Sequence, residues 1–257
     1  MSRMLLALIP LALSSLALVQ GATNYCDASL CGTAKHIACN NNGAFSSTCP
    51  TSPAPKAVNF NVNQKKITVK LHNVLRNKLA TGKLTNYKPA KRMATMRWNN
   101  ELASLAALNV KQCEMNHDAC HNTKTFKASG QNLAIFGSTG DIASTDVAKL
   151  IRSSVNAWWN EYKDANQAIM AKYPNNYSGP QIGHFTAMAQ EKNTHCGCAA
   201  SIYVKDGWSW FLMACNYATT NWIGQPVYQA GAKASGCKKG ANASYPGLCK
   251  TTEVYNV

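Results

Sequence analysis

A chain of 257 residues has room for one or two domains, and a hydrophobic fraction of 46% supplies a real core. Lys and Arg number 26 against 11 Asp and Glu, a formal +15 that excludes an acidic, self-repelling chain and leaves anionic polymers or surfaces as electrostatic partners. The one dense basic stretch, Lys88 to Arg92, has no interleaved aromatic residue, and no phosphate loop or dinucleotide fingerprint occurs, so nucleic acid and nucleotides are not expected partners.

In chain order, residues 1–21 read as a secretory signal peptide. Arg3 supplies the charge, Met4 to Val19 the apolar run, and Val19-Gln20-Gly21 residues small enough for cleavage before Ala22. The run lacks the length and flanks of a transmembrane helix, and no other stretch approaches the roughly 18 apolar residues one needs. A secreted, extracellular chain without a transmembrane segment is therefore expected. Eleven cysteines then imply a disulfide framework, and their odd number leaves at least one thiol free or paired between molecules. Residues 22–55 form a cysteine-rich extension with no helical or strand period, ending in the Pro-rich linker Thr51 to Pro55.

Residues 64–80 predict a helix on the apolar positions Ile67, Val69, Leu71, Val74, Leu75 and Leu79, stopped by Gly82. His72 is expected to be partly buried there and to hold its neighbours in place. Trp98 opens a second predicted helix, capped by Asn99 or Asn100, with Leu102, Leu105, Ala106 and Val110 inward and its end near Cys113. A loop bearing His117-Asp118 leads to a short buried strand over 129–136. Asp146 to Lys163 predicts a helix with Val147, Leu150, Ile151, Val155, Trp158, Trp159 and Tyr162 mostly inward. Asn166 to Pro180 reads as a loop. Glycosylation sequons start at Asn176 and Asn242.

Two strand-like runs, 199–204 and 208–213, flank Asp206-Gly207, a type I′ turn signal. With that turn Lys205 faces Trp208, and the same register sets Cys198 opposite Cys215, within disulfide reach. Cys196 is then the expected odd thiol. In the tail Cys237 and Cys249 flank a turn and are expected to close a small loop. Helices and strands alternate around one small sheet, which predicts an α+β, three-layer α–β–α sandwich.

Gly183-His184-Phe185-Thr186, with Gly197-Cys198 and Cys215-Asn216-Tyr217, resembles the signature region of the CAP superfamily (cysteine-rich secretory proteins, antigen 5, pathogenesis-related 1). His72-Asn73 with Arg76, the stretch Trp98 to Ala103, and Trp158 followed by Glu161 resemble its helix motifs. The spacing from Asn24 to Cys49 resembles the N-terminal extension of insect antigen 5 proteins, those of flies in particular. This resemblance implies the same sandwich fold, with a CAP domain over 56–228 and a disulfide-closed tail over 229–257. For the extension it implies the pairs Cys26–Cys39, Cys31–Cys120 and Cys49–Cys113, among which the sequence itself cannot choose. It also implies a cleft lined by His117, His184 and Glu161. A second acid of the family pattern falls at Gln131, an amide that cannot neutralise a metal's charge.

Two imidazoles can hold Zn²⁺ or Cu²⁺, but two protein ligands make an open, weak site, and no cofactor is expected to be required. No Gly-x-Ser-x-Gly elbow occurs. Cys196 beside His195 makes a poor nucleophile, because neighbouring strand residues point to opposite faces. The expected function is that of a secreted, monomeric, non-enzymatic protein binding a small hydrophobic ligand (sterol or lipid), a metal ion or a host protein. The resemblance implies a salivary or venom component and an allergen. The alternatives are a Cu- or Zn-dependent redox scavenger or hydrolase using the cleft histidines, and a heparin-type polyanion binder resting on charge alone.

Overall fold

The computed structural model describes residues 23–257, and the signal peptide expected over 1–21 lies outside them. Asp27 caps a single turn, α1 (Ala28–Cys31), within the cysteine-rich arm. After the linker, β1 (Lys56–Val58) leads into α2 (Val62–Ala80), which begins on a capping box: the Asn61 side chain accepts from Gln64 N, and the Gln64 side chain accepts from Asn61 N. Gly82 turns the chain at φ +72° just past its end. Then come β2 (Met93–Ala94), β3 (Arg97–Trp98) and α3 (Asn100–Val110), capped by Asn99 through Leu102 N at 2.9 Å. β4 (Gly130–Ser138) precedes α4 (Val147–Asn160), whose end tightens into a 3-10 turn over Glu161–Lys163. The short helices α5 (Gln167–Ala171) and α6 (Gly183–Ala189) follow, then β5 (His195–Lys205), β6 (Trp208–Tyr217) and, in the tail, β7 (Leu248–Cys249).

The main sheet runs β1-β5-β6-β4, all antiparallel, with β3 parallel to β5 beside β1. The β5–β6 register sets Lys205 opposite Trp208 and Cys198 opposite Cys215, and the turn residues have φ +53° at Asp206 and +76° at Gly207, as a type I′ turn requires. α3 covers one face, where Ala106 and Val110 pack on Leu133, Ala199, Leu212 and Ala214. Gly197 lets α3 come close, since a Cβ there would lie 2.2 Å from Ala103 N. α2, α4 and α6 cover the other face, over Ala134, Ala200, Phe211 and Met213. This is a three-layer α–β–α sandwich. The disulfides are Cys26–Cys39, Cys31–Cys120, Cys49–Cys113, Cys198–Cys215 and Cys237–Cys249. Two of them tie the N-terminal arm to the segment that follows α3.

Several elements differ from their sequence reading. Trp98 does not open the second helix but pairs with Cys196 in β3, because Asn99 is the cap and keeps an extended backbone at φ −127°. The strand over 129–136 continues to Ser138, since β6 offers partners as far as Ser209. Within 166–180, Asn166 accepts from Ala168 N and Ile169 N and starts α5. The largest difference is the buried face of α2, where Thr68, His72, Asn73 and Arg76 are buried while Val74 is exposed. Ile67, Val69, Leu71 and Leu75 are only partly buried against the core. The reason is that this face meets backbone polar groups as well as apolar side chains. Asn73 exchanges hydrogen bonds with Met96 N and O, both 2.8 Å, and Arg76 reaches four carbonyl oxygens.

Candidate functional site

Trp158 is buried at the end of α4 and donates from Nε1 to Leu133 O at 2.7 Å, which fixes the helix end against β4. That places Glu161, in the next turn, at the N-terminus of α6. Ile182, at the cap position of α6, provides no side-chain acceptor. Glu161 supplies it from another element, its Oε2 accepting from His184 N at 2.9 Å and Phe185 N at 3.0 Å. Its Oε1 lies 2.6 Å from His184 Nδ1. A carboxylate only accepts, so Nδ1 carries the hydrogen and the neutral ring presents a bare lone pair at Nε2. Phe185 packs edge-on against Trp159 and Tyr87 and anchors the helix that carries His184.

His117 stands in the loop after α3, exposed, with Nδ1 2.8 Å from Gln131 Oε1. The orientation of this amide is set by its surroundings. Asp118 N donates to Oε1, while Nε2 donates to Asp118 Oδ2 at 2.7 Å and to Asn216 Oδ1 at 3.0 Å. Hence His117 Nδ1 also donates, and its Nε2 is also left bare. Asp118 was not among the expected site residues. Its carboxyl is 1% exposed and accepts from Asn109 Nδ2 at 2.7 Å and Gln112 Nε2 at 3.3 Å in addition to Gln131. Its only sequence signal was the neighbouring histidine; its partners come from α3, the turn just after it and β4. Behind it His121 is buried, Nδ1 3.6 Å from Asp118 Oδ2. Burial holds this imidazole below its usual pKa, and the Asp118 carboxylate pulls the other way.

The four residues named from the resemblance thus form two pairs, His184 with Glu161 and His117 with Gln131, and no hydrogen bond joins one pair to the other. They meet β4, the sheet's edge strand, at consecutive residues and from its two faces. Gln131 bonds Asn216, which reaches Leu102 O on the α3 side. Asn132 donates to His184 O at 3.1 Å and to the Tyr217 hydroxyl at 3.3 Å. That hydroxyl lies 3.0 Å from His72 Nε2, and His72 Nδ1 lies 2.8 Å from Thr68 O. Thr68 O can only accept, so His72 Nδ1 donates and Nε2 accepts from Tyr217. Burial pushes this imidazole down to about 4, so it is neutral and structural. His72 is fully buried, deeper than its sequence reading.

Cys196 is unpaired and inaccessible, and burial pushes its thiol up to about 12 although the Arg76 guanidinium pulls it down. Of the two sequons, Asn176 is exposed at φ +52°, whereas the Asn242 side chain donates to Thr95 Oγ1 at 3.1 Å. Among the described residues no group of three or more His, Cys, Asp or Glu could hold a metal ion, and no helix is long and apolar enough to cross a membrane.

Comparison with known proteins agrees with this architecture. A model of the cysteine-rich secretory protein (CAP) family matches residues 69–217. The chain is 39% identical over 230 residues to venom allergen-1 of Aedes aegypti, covering 90% of this chain and 88% of that one. It is 42% identical over 187 residues to the antigen 5 like allergen Cul n 1 of Culicoides nubeculosus, covering 69% and 83%. Among solved structures, that of BmVAL-1 superposes with a TM-score of 0.63 at 24% identity over 78% of this chain and 97% of that one, and NaASP2 with Zn²⁺ at 0.59 and 23% over 79% and 100%; these likenesses speak to the fold alone. The chain belongs to the cysteine-rich secretory protein (CAP) family.

Proposed function

We propose that this protein is a secreted antigen 5-type binding protein, without catalytic turnover, whose partner is a small hydrophobic ligand, a metal ion or a host protein. The observation that carries this reading is the engagement of both carboxylates near the histidines. Glu161 accepts three donors as the cap of α6, and Asp118 accepts three side-chain amides. Neither is free to act as a general base. The names of the insect relatives, venom allergen and antigen 5 like allergen, support a secreted role of the venom-allergen type.

The bare Nε2 atoms of His117 and His184 suit Zn²⁺ or Cu²⁺, and each Nδ1–H is held by a fixed partner, as metal-ligating histidines require. Two imidazoles without a third protein ligand make the affinity weak. Calorimetric titration of Zn²⁺ tests this. Weak binding is expected in the parent and is abolished in His184→Ala. Equal affinity in the parent and His184→Ala would remove the metal from this site.

A further inference from the structure

The one dense basic stretch of the sequence, Lys88 to Arg92, meets the tail. Lys91 N donates to Gln229 O at 2.9 Å, and Gly231 N, Ala234 N and Gly236 N donate back to Pro89 O, Ala90 O and Lys91 O at 2.9, 3.1 and 2.9 Å. The tail thus wraps this stretch. Beyond it Arg92 lines a cleft of about 310 Å³ together with Lys192, just before β5, and with Lys238 and Lys239 of the tail. Lys250 stands beside the turn that follows Lys239, its Cε 3.8 Å from where a Cβ on Gly240 would lie. Cations far apart in the chain therefore share one face. The four lysines are exposed, and among the described residues none meets a carboxylate within salt-bridge distance.

Glu253 holds this face in shape. Among the described residues its carboxylate is the one that lines the cleft. It is buried and accepts from Arg92 Nε at 2.9 Å and Nη2 at 2.6 Å, from Lys238 N at 3.1 Å and from Lys239 N at 2.7 Å. It therefore offsets the Arg92 charge and leaves that of the lysines uncompensated. Glu191, next to Lys192 in the chain, is also buried and accepts from Gln229 N at 2.9 Å. The Cys237–Cys249 bridge closes the loop that carries Lys238 and Lys239, so the backbone needs little ordering on binding. The Tyr255 ring is engaged by the Arg92 guanidinium, 4.4 Å from its centre, and is no free stacking platform for a base. Val254 is the single strongly exposed apolar side chain of the cleft, too little to enter a bilayer. Dense positive charge along a cleft suits an extended polymer with sulfates at short, regular spacing.

We propose that this face binds a sulfated glycosaminoglycan chain, its sulfates met by Lys192, Lys238, Lys239 and Lys250. Such a partner is neither a small hydrophobic ligand, a metal ion nor a protein, and the cleft shares no lining residue with the two histidine pairs. The test is salt-gradient elution of the full secreted chain, with chelator present, from immobilised heparin and from a sulfopropyl cation exchanger. The parent should leave heparin well above about 0.15 M salt, where a screening length of about 8 Å weakens scattered charges, and later than it leaves the exchanger. Lys238→Gln with Lys239→Gln keeps the backbone donors to Glu253. It should lower heparin affinity at about 0.15 M salt by about tenfold, read by surface plasmon resonance, and make the slope of log affinity against log salt shallower by roughly one to two. Lys149→Gln with Lys205→Gln removes the same charge from the other end of the sheet and should elute with the parent. Lys205 ends β5, roughly 30 Å from His195 by the strand rise, and Lys149 follows the turn at Ile142 that bonds Ser209. If the Lys238, Lys239 variant fails to fold, Lys192→Gln with Lys250→Gln decides, with the same loss expected. His184→Ala should elute as the parent does, whatever becomes of its metal affinity. The proposal is overturned by release from heparin at or below about 0.15 M salt, by equal elution from both columns, or by unchanged affinity in the folded tail variants. Equal losses in the tail and far-end variants, loss in His184→Ala, or equally tight binding to phosphatidylserine vesicles or duplex DNA would overturn it too.

Discussion

Replacing Arg76 by Met will cost about 3–5 kcal/mol of unfolding free energy. The guanidinium is fully buried and faces no carboxylate within salt-bridge distance. It donates instead to carbonyl oxygens of two separate segments: Ala94 at 2.8 Å, Met188 at 2.6 Å, Gln190 at 2.8 Å and Glu191 at 3.4 Å. Burial pulls its pKa down to about 10, still charged at neutral pH. Met fills the volume of the stem but takes the guanidinium from Ala94 O and Met188 O in a dry interior, while Gln190 O keeps Asn193 N at 3.1 Å and Glu191 O keeps Ala94 N at 2.8 Å. Arg76→Lys should also be costly, because an ammonium is a point donor and cannot span a fork of carbonyls. Urea denaturation checks both; a loss below about 1 kcal/mol for Met would mean that water or relaxation satisfies the carbonyls.

The second large effect is at Glu161. Glu161→Ala removes the acceptor of two backbone N–H groups and of His184 Nδ1, and should cost about 2–4 kcal/mol in a denaturant titration. Glu161→Gln is predicted to cost less, about 1–2 kcal/mol, because its amide oxygen can still accept from His184 N and Phe185 N. Its NH₂ group must then face His184 Nδ1, which has to become the acceptor. The ring hydrogen moves to Nε2, and the lone pair that would meet a metal is lost. The isosteric change therefore acts on binding through the tautomer, while the truncation acts on stability. Equal unfolding free energies for the parent and Glu161→Ala would show that α6 needs no cap.

Much of the fold was legible from short-range chemistry. Asp206-Gly207 fixed the hairpin register because a two-residue turn leaves no freedom in pairing, and the faces of α3 and α4 followed from their apolar period. The inward face of α2 was not legible. The carbonyls that satisfy Arg76 lie 18 to 115 residues away, and no local pattern announces them. β1 and β2, three and two residues long, are too short to show a period. The candidate site was named by motif, yet the role of Glu161 as the cap of another helix exists only once α4 and α6 are packed. Asp118 was passed over because its three amide partners converge on it only after folding.

The arrangement of hydrogens on His184 and His117 is the most direct observable of this account, and a long-range ¹H–¹⁵N spectrum of the imidazoles reads it without any ligand. It is to be recorded on the parent and Glu161→Gln at about pH 8, well above the ordinary imidazole range. In the parent both rings should be the Nδ1–H tautomer with Nε2 unprotonated. In Glu161→Gln, His184 alone should switch to Nε2–H while His117, held by Gln131, stays as it was. A parent His184 already carrying its hydrogen on Nε2, or an identical His184 pattern in both proteins, would contradict the assignment of Glu161 as the group that holds this ring ready to bind.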